Sequence, residues 1–157
     1  MKKNVCRLLF VLIGFVPLQA MALLESCTVA AVPVAFGSYN PLSASPLSST
    51  GTVTVTCTAI ISLAVSYTIK LSQGGAGSYA PRKMAFSSNN LNYNLYTSNS
   101  YGVVWGDGTG GTSFVSDSYA LALLINVVNY SVYGSVPALQ NIPAGAYSDL
   151  ITVTVNY

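Results

Sequence analysis

The amino-acid sequence predicts an all-β protein, and three observations support that fold class. Short runs of alternating polarity recur along the chain, turn-forming residues separate them, and patterns typical of helices are weak. Short strands joined by regular turn signals are typical of β-sandwiches and barrels. The chain of 157 residues has neither an internal repeat nor a linker, so one domain is expected.

Two runs give the clearest strand patterns. Residues 52–58 alternate threonine with apolar residues, and residues 63–72 continue the same period of two. The side chains predicted to face inward are Val53, Val55 and Cys57 in the first run and Val65, Tyr67, Ile69 and Leu71 in the second. The further strand candidates are residues 91–96, 103–105, 129–133 and 150–157.

One segment of undecided secondary structure and three predicted turns complete the secondary-structure prediction. Residues 118–128 fit either a short buried helix or a buried strand, because periodicity does not separate the two at that length. Turns are predicted at residues 73–78, 87–90 and 106–111, which are rich in glycine, serine or asparagine.

The glycine-rich cluster at 106–111 superficially resembles a phosphate-binding loop. Residues 112–115 after it are typical of a strand, whereas a phosphate loop must open a helix. The Asp107-Gly108 dipeptide favours a hairpin loop instead. Arg82 and Lys83 follow Pro81 and are interpreted as a solvated turn, which we favour over an anion-binding site.

A cleavable signal peptide is predicted over residues 1–22. Basic residues precede an apolar run at 8–16, which is shorter than the ~18 residues that span a bilayer. Ala20-Met21-Ala22 is typical of a cleavage site, which leaves a domain at residues 23–157 for export to the cell surface. Its three basic and four acidic side chains give a net charge of −1, which disfavours nucleic acid as a partner.

The residues of the domain also disfavour an enzyme. The chain has no histidine, so neither a Ser-His-Asp arrangement nor a histidine metal site is available, and no cofactor or metal is expected.

The cysteines predict one disulfide. Cys6 leaves with the signal peptide, and Cys27 and Cys57 remain to pair in an oxidising compartment. Its loop of about 30 residues would stabilise the fold by roughly 3–4 kcal/mol.

The ordered set of motifs resembles the spore coat protein U domain family, which includes the archaic chaperone–usher pilins. The match runs from the Cys27-Thr28-Val29 motif to the last strand, and no single piece of it is specific. The residues that carry the resemblance are Phe36, Gly37, Tyr39, Arg82, Met84, Tyr93, Tyr96, Trp105, Gly106, Asp107, Gly108, Tyr133, Gly134, Gln140, Tyr147 and Asp149.

The resemblance implies an immunoglobulin-like sandwich that lacks its last strand. A periplasmic chaperone would fill the resulting groove, and a strand from a sibling pilin would replace it during export through an outer-membrane usher. The product would be a pilus or surface coat that contacts a host or abiotic surface in adhesion and biofilm formation. The last strand is expected to line the groove and face the chaperone through Ile151, Val153, Val155 and Tyr157.

One departure from the family points to a tip or minor subunit. With cleavage after Ala22, only four residues precede Cys27, which at ~3.3 Å per residue is too short a donor strand. The chain is therefore expected to receive a strand without donating one.

Two other functions are alternatives to a pilus or coat subunit. One is a small outer-membrane β-barrel, favoured by the terminal Tyr157. The other is a secreted carbohydrate-binding module that uses Trp105 and tyrosines.

Overall fold

The computed structural model describes residues 25–59, 64–120 and 125–157, and the predicted signal peptide lies outside them. Within these ranges the chain forms strands and no helix, so no helix there is long and apolar enough to cross a membrane. The strands are β1 (Glu25–Val32), β2 (Leu47–Ala59), β3 (Ala64–Leu71), β4 (Arg82–Phe86), β5 (Asn89–Tyr96), β6 (Val115–Ala120), β7 (Ile125–Val136) and β8 (Val153–Asn156).

The strands form two sheets with antiparallel pairing throughout. A five-stranded sheet has the order β1-β2-β7-β5-β4, and a three-stranded sheet has the order β6-β3-β8. Among the described strands, every connection switches sheets except those from β1 to β2 and from β4 to β5. The predicted all-β sandwich is confirmed.

The core lies between the two sheets, and the alternating runs supply it. Val53, Val55 and Cys57 of β2 are at most 2% exposed, as are the four inward residues predicted for β3. Thr52, Thr54 and Thr56 lie on the other face of β2 and are only partly buried. Both inward faces predicted from the period of two are therefore confirmed.

Of the other strand predictions, 91–96 falls within β5 and 129–133 falls within β7, whereas 150–157 is longer than β8. The strand predicted at 103–105 and the hairpin loop predicted at 106–111 were wrong. Residues 103–105 form only isolated bridges, from Val104 to Tyr96 and from Trp105 to Ser113. The second bridge is parallel, so residues 106–111 are not a hairpin loop, and the next strand begins only at Val115. After residues 106–111 the chain does not return along residues 103–105, because β6 pairs with β3 in the other sheet.

The structure describes part of the stretch 118–128, for which the sequence left a helix or a strand open. Ser118 to Ala120 end β6 and Ile125 to Val128 begin β7, while residues 121–124 lie outside the described ranges. The strand alternative is therefore correct for the described flanks. The expected burial is wrong there, since Ile125 and Val127 are 58% and 56% exposed on the outer face of the sheet.

The solvated turn expected at Arg82 and Lys83 was also wrong. Both residues belong to β4, and the Arg82 side chain is fully buried. Its guanidinium donates to the carbonyl oxygens of Ser72 and Trp105 and to Oδ1 of Asn94, at 2.7–3.0 Å. The ring of Tyr79 lies 4.9 Å from the guanidinium carbon. These neutral acceptors replace water and allow the cation to be buried.

Candidate functional site

The three-stranded sheet is narrower than the five-stranded sheet, and irregular chain covers the rest of the core. Residues 33–39 and 142–151 lie on the two sides of an open cavity of about 820 Å³. The buried side chains that line the cavity are Leu71, Met84, Leu91, Tyr93, Leu95, Val132 and Val136. We call this cavity the groove. It is an apolar slot in the second layer of the sandwich.

The edge of β8 runs beside the groove, and its pairing shows which backbone groups face it. In the described part of the chain, β8 pairs with β3 on one side only. The amide of Ser72 donates to the carbonyl of its partner Thr152 at 3.0 Å. Because hydrogen-bonded pairs alternate in an antiparallel ladder, Thr154 and Asn156 also bond to β3. The backbone groups of Val153 and Val155 therefore point away from β3, toward the groove side.

Residues 33–39 form the opposite wall because two glycines make room for their side chains. A Cβ at Gly51 would lie 2.9 Å from Cγ2 of Val34, and one at Gly134 would lie 2.7 Å from Cζ of Phe36. The ring of Phe36 also packs edge-on against Tyr93, with 6.0 Å between the centroids. Glycine inside a strand often marks such a close approach. The wall is thus fixed against the inner face of the five-stranded sheet.

Residues 142–151 are fixed by hydrogen bonds at Ser148 and Asp149. Ser148 and Ala85 exchange both backbone bonds, at 2.8 and 3.2 Å. Oδ1 of Asp149 accepts from the amides of Gly75 and Leu150, at 2.7 and 2.9 Å. Oδ2 accepts from the Tyr93 hydroxyl at 2.7 Å. Three donors thus anchor a single carboxylate at the side of the groove.

Burial raises the pKa of Tyr93, and the hydrogen bond to the Asp149 carboxylate and that residue's charge raise it further. The tyrosine therefore stays a neutral donor at any physiological pH. Among the residues that line the groove, Tyr93 and Asp149 are the one pair of ionisable side chains that we find hydrogen-bonded to each other. The remainder of the lining recognises shape and apolar surface.

The mouth of the groove carries exposed apolar side chains. Val32 and Leu150 line the cavity and are 64% and 84% exposed. Exposed apolar side chains beside an apolar cavity are typical of an interaction site. The groove is therefore suited to a partner with apolar side chains.

The four residues of the last strand that were predicted to line the groove lie in different surroundings. Ile151 and Val153 line the groove, and Val155 packs against the core. Tyr157 is 57% exposed and lies in a second, polar depression with Ser66 and Asp117.

Of the motif residues, several support the loops near the groove. The Tyr39 hydroxyl donates to the Pro137 carbonyl at 2.9 Å and accepts from the Gln140 amide at 2.8 Å. The Gln140 side chain in turn bonds the backbone of Asn92 in both directions. Tyr147 packs against the ring of Phe86 at 5.7 Å. The other motif residues with a role near the groove are Phe36, Met84, Tyr93, Gly134 and Asp149.

A second group of motif residues lies away from the groove. Trp105 is 1% exposed and its indole N–H donates to the Ile69 carbonyl at 3.0 Å, so it is not available to stack on a sugar. Gly108 adopts positive φ, as does Gly37 in the lining of the groove, and Asp107 accepts from the Thr109 amide at 2.9 Å. A Cβ at Gly106 would lie 2.4 Å from Oγ1 of Thr112. Tyr96 and Tyr133 are register partners.

Sequence reasoning missed Val32, Val34 and Leu150 as groove residues, and Gly51 as the residue that makes room for Val34. The glycine directly before the alternating run of β2 was the available signal, since glycine weakens a strand unless another group packs there. The predicted disulfide between Cys27 and Cys57 is confirmed, with an S–S distance of 2.02 Å, and joins register partners on β1 and β2.

The fold and the groove together define an all-β sandwich that is incomplete beside its last strand. The sequence model of the spore coat protein U domain matches residues 15–154. Protein U of Myxococcus xanthus is 36% identical over 136 residues, which cover 78% of this chain and 70% of that protein. The chain therefore belongs to the spore coat protein U domain family.

A solved structure supports the same fold. It is the chaperone–tip adhesion subunit pre-assembly complex CsuC–CsuE from the archaic chaperone–usher Csu pili of Acinetobacter baumannii. The similarity has a TM-score of 0.53 at 24% identity and covers 85% of this chain. This chain spans 40% of the length of that solved chain.

Proposed function

We propose that this protein is an exported structural subunit of a chaperone–usher pilus or surface coat, and that its groove receives a β-strand from another chain. The observation that carries the proposal is the apolar groove of about 820 Å³ beside an edge of β8 that pairs with none of the described strands. An inserted strand would bond to the groove-facing backbone of Val153 and Val155. Its alternate side chains would enter the apolar lining.

The energetics favour a strand as the occupant. An apolar side chain that is fully buried contributes ~1.5–3 kcal/mol gross, so four or five of them, together with the main-chain hydrogen bonds, would offset the cost of ordering the donor. An exposed edge beside apolar surface otherwise promotes aggregation. A periplasmic chaperone would therefore cover the groove first, and a sibling subunit delivered to an outer-membrane usher would replace it.

A strand fused to the chain tests this proposal. The fusion adds, after Tyr157 and a short flexible linker, a ten-residue strand with valine or isoleucine at alternate positions. We expect the periplasmic yield of monomer to rise at least tenfold over the unfused chain, because the groove is filled. The matched control carries serine at the same alternate positions and should behave like the unfused chain. Equal monomer yields from all three proteins would contradict the proposal.

The position in the assembly is a finer part of the proposal. Cleavage after Ala22 would leave four residues before Cys27, and β1 begins already at Glu25 in pairing with β2. Such a subunit would accept a strand without donating one, which suits a tip or minor subunit in adhesion and biofilm formation. Mass spectrometry of the exported protein tests this. A mature N-terminus at Leu23 supports it, and one that leaves ten or more residues before Cys27 contradicts it.

A further inference from the structure

We propose that the outer face of the five-stranded sheet carries a binding site for a neutral pyranose sugar, formed by Tyr96, Tyr101 and Tyr133. Val132, Gly134 and Val136 of β7 are buried, so the alternating Tyr133 points to the opposite, outer face. Tyr96 of β5 is its register partner and lies on the same face. This face is turned away from the groove, so the inference is independent of strand insertion.

The rings of Tyr96 and Tyr101 form a corner. Their centroids are 5.4 Å apart and their planes are inclined by 89°. Tyr101 is 37% exposed, and Val103 beside it is 46% exposed. Perpendicular rings present one ring face and one ring edge to the same space. A flat molecule can therefore stack on one ring while its rim meets the other.

The loop that presents Tyr101 has a defined conformation. Its neck is closed by a hydrogen bond of 3.2 Å from the Thr97 amide to the Val103 carbonyl. The Tyr101 amide donates to the Ser98 carbonyl at 3.2 Å, which forms a turn. Tyr101 itself has φ of 53°, in the left-handed region that few residues other than glycine adopt. Backbone conformations of this cost cluster at sites that bind ligands.

The chemistry of the surface selects the ligand class. Residues 96–103 are all neutral, and so are Tyr133 and its neighbour Thr50 on β2. Hydroxyl groups of Ser98 and Ser100 lie 2.8 Å apart in the same loop. A pyranose has an apolar C–H face for an aromatic ring, whose face is electron-rich, and hydroxyls at its rim for serine and tyrosine oxygens. A charged ligand would meet no opposite charge in this loop.

Substitutions at Tyr101 provide a sharp test. Tyr101→Gly removes the ring, and glycine accommodates the positive φ without strain. We expect this variant to keep or raise the unfolding midpoint and to lose at least tenfold in affinity for a neutral oligosaccharide. The matched control is Phe114→Ala, since Phe114 is 38% exposed and lies outside this surface. It should change the affinity by less than twofold.

The measurement is a titration of the full chain, purified from the periplasm, with neutral and sialylated oligosaccharides of glucose, galactose, mannose and N-acetylglucosamine, followed by NMR. Shifts of the Tyr96, Tyr101 and Tyr133 ring signals with at least one neutral sugar, abolished in Tyr101→Gly, would support the inference. No shift with any neutral sugar at millimolar concentration would overturn it. Equal shifts in the Tyr101→Gly variant, or binding of the sialylated sugars alone, would overturn it as well.

Discussion

The hydroxyl of Tyr93 on β5 donates a hydrogen bond of 2.7 Å to Oδ2 of Asp149, and this bond joins the floor of the groove to its side. The same carboxylate accepts from the amides of Gly75 and Leu150. One side chain therefore connects the five-stranded sheet, the turn after β3 and the segment that leads into β8. The shape of the groove depends on this connection.

Tyr93→Phe should destabilise the fold by about 1.5 kcal/mol, because a part-buried hydrogen bond to a carboxylate is lost. Urea unfolding measures the change. The matched control is Tyr147→Phe, whose exposed hydroxyl donates to the Pro143 carbonyl at 3.0 Å, and it should cost less than about 0.5 kcal/mol. Equal costs for the two variants would show that the Tyr93–Asp149 bond does not hold the groove.

Arg82→Lys should destabilise the fold by about 3 kcal/mol or more. The guanidinium makes four hydrogen bonds to three acceptors while fully buried, and an ammonium has neither the planar fork nor the reach to replace them. The adjacent Lys83→Arg exchanges the same residue types at a less buried position and should be nearly neutral. Denaturant midpoints of the two variants that lie close together would refute this assignment.

Removal of the disulfide by the double change Cys27→Ser and Cys57→Ser should cost roughly 3–4 kcal/mol, since the bond closes a loop with a sequence separation of 30. Urea unfolding of the wild type with and without reductant gives an independent estimate. A loss below about 1 kcal/mol in both experiments would mean that β1 is held on β2 by its backbone pairing alone.

Stability should fall at alkaline pH because buried tyrosines must stay protonated in the folded state. Burial raises the pKa of Tyr130, and hydrogen bonds to the Asp117 carboxylate and to Tyr67 raise it further. Burial likewise raises the pKa of Tyr67 and Tyr93. A folded-state pKa above the unfolded value of about 10 contributes stability that is complete below pH 10 and declines above it.

Unfolding free energies measured from pH 8 to 11.5 test this. The wild type should be flat to about pH 9.5 and then decline. Tyr130→Phe should decline less steeply, since one titrating group is removed. Tyr157→Phe, at an exposed tyrosine, should retain the wild-type slope. A curve that stays flat to pH 11.5 would contradict the burial of these hydroxyls as protonated groups.

The strands of the core were predictable from sequence because burial on one face imposes a period of two. In β2 and β3 that period identified every inward residue from Val53 to Cys57 and from Val65 to Leu71. The pairing of Cys27 with Cys57 followed from their number and compartment. That the sandwich lacks a strand followed only from the family resemblance. The alternating pattern within a strand predicts which side chains face inward, but it does not predict whether a neighbouring strand is missing from the sheet.

The errors occurred where long-range contacts override local patterns. Arg82 after Pro81 is typical of a solvated turn, yet carbonyl groups of residues 72 and 105 converge on its guanidinium. Asp107-Gly108 is typical of a hairpin, yet the following strand pairs with β3 in the other sheet. The wall formed by Val34 and Phe36 depends on Gly51 and Gly134 lying on neighbouring strands, in diagonal register positions, which sequence spacing does not reveal.

The most direct test of the central claim is amide hydrogen exchange along β8, measured by NMR in the strand-fused protein and in its serine control. The Thr154 amide bonds to β3 and should be protected in both proteins. The amides of Val153 and Val155 should exchange rapidly in the control and become protected, by at least a hundredfold, only when the apolar strand is present. Protection of Val153 and Val155 that is the same in both proteins would contradict an open strand position beside β8.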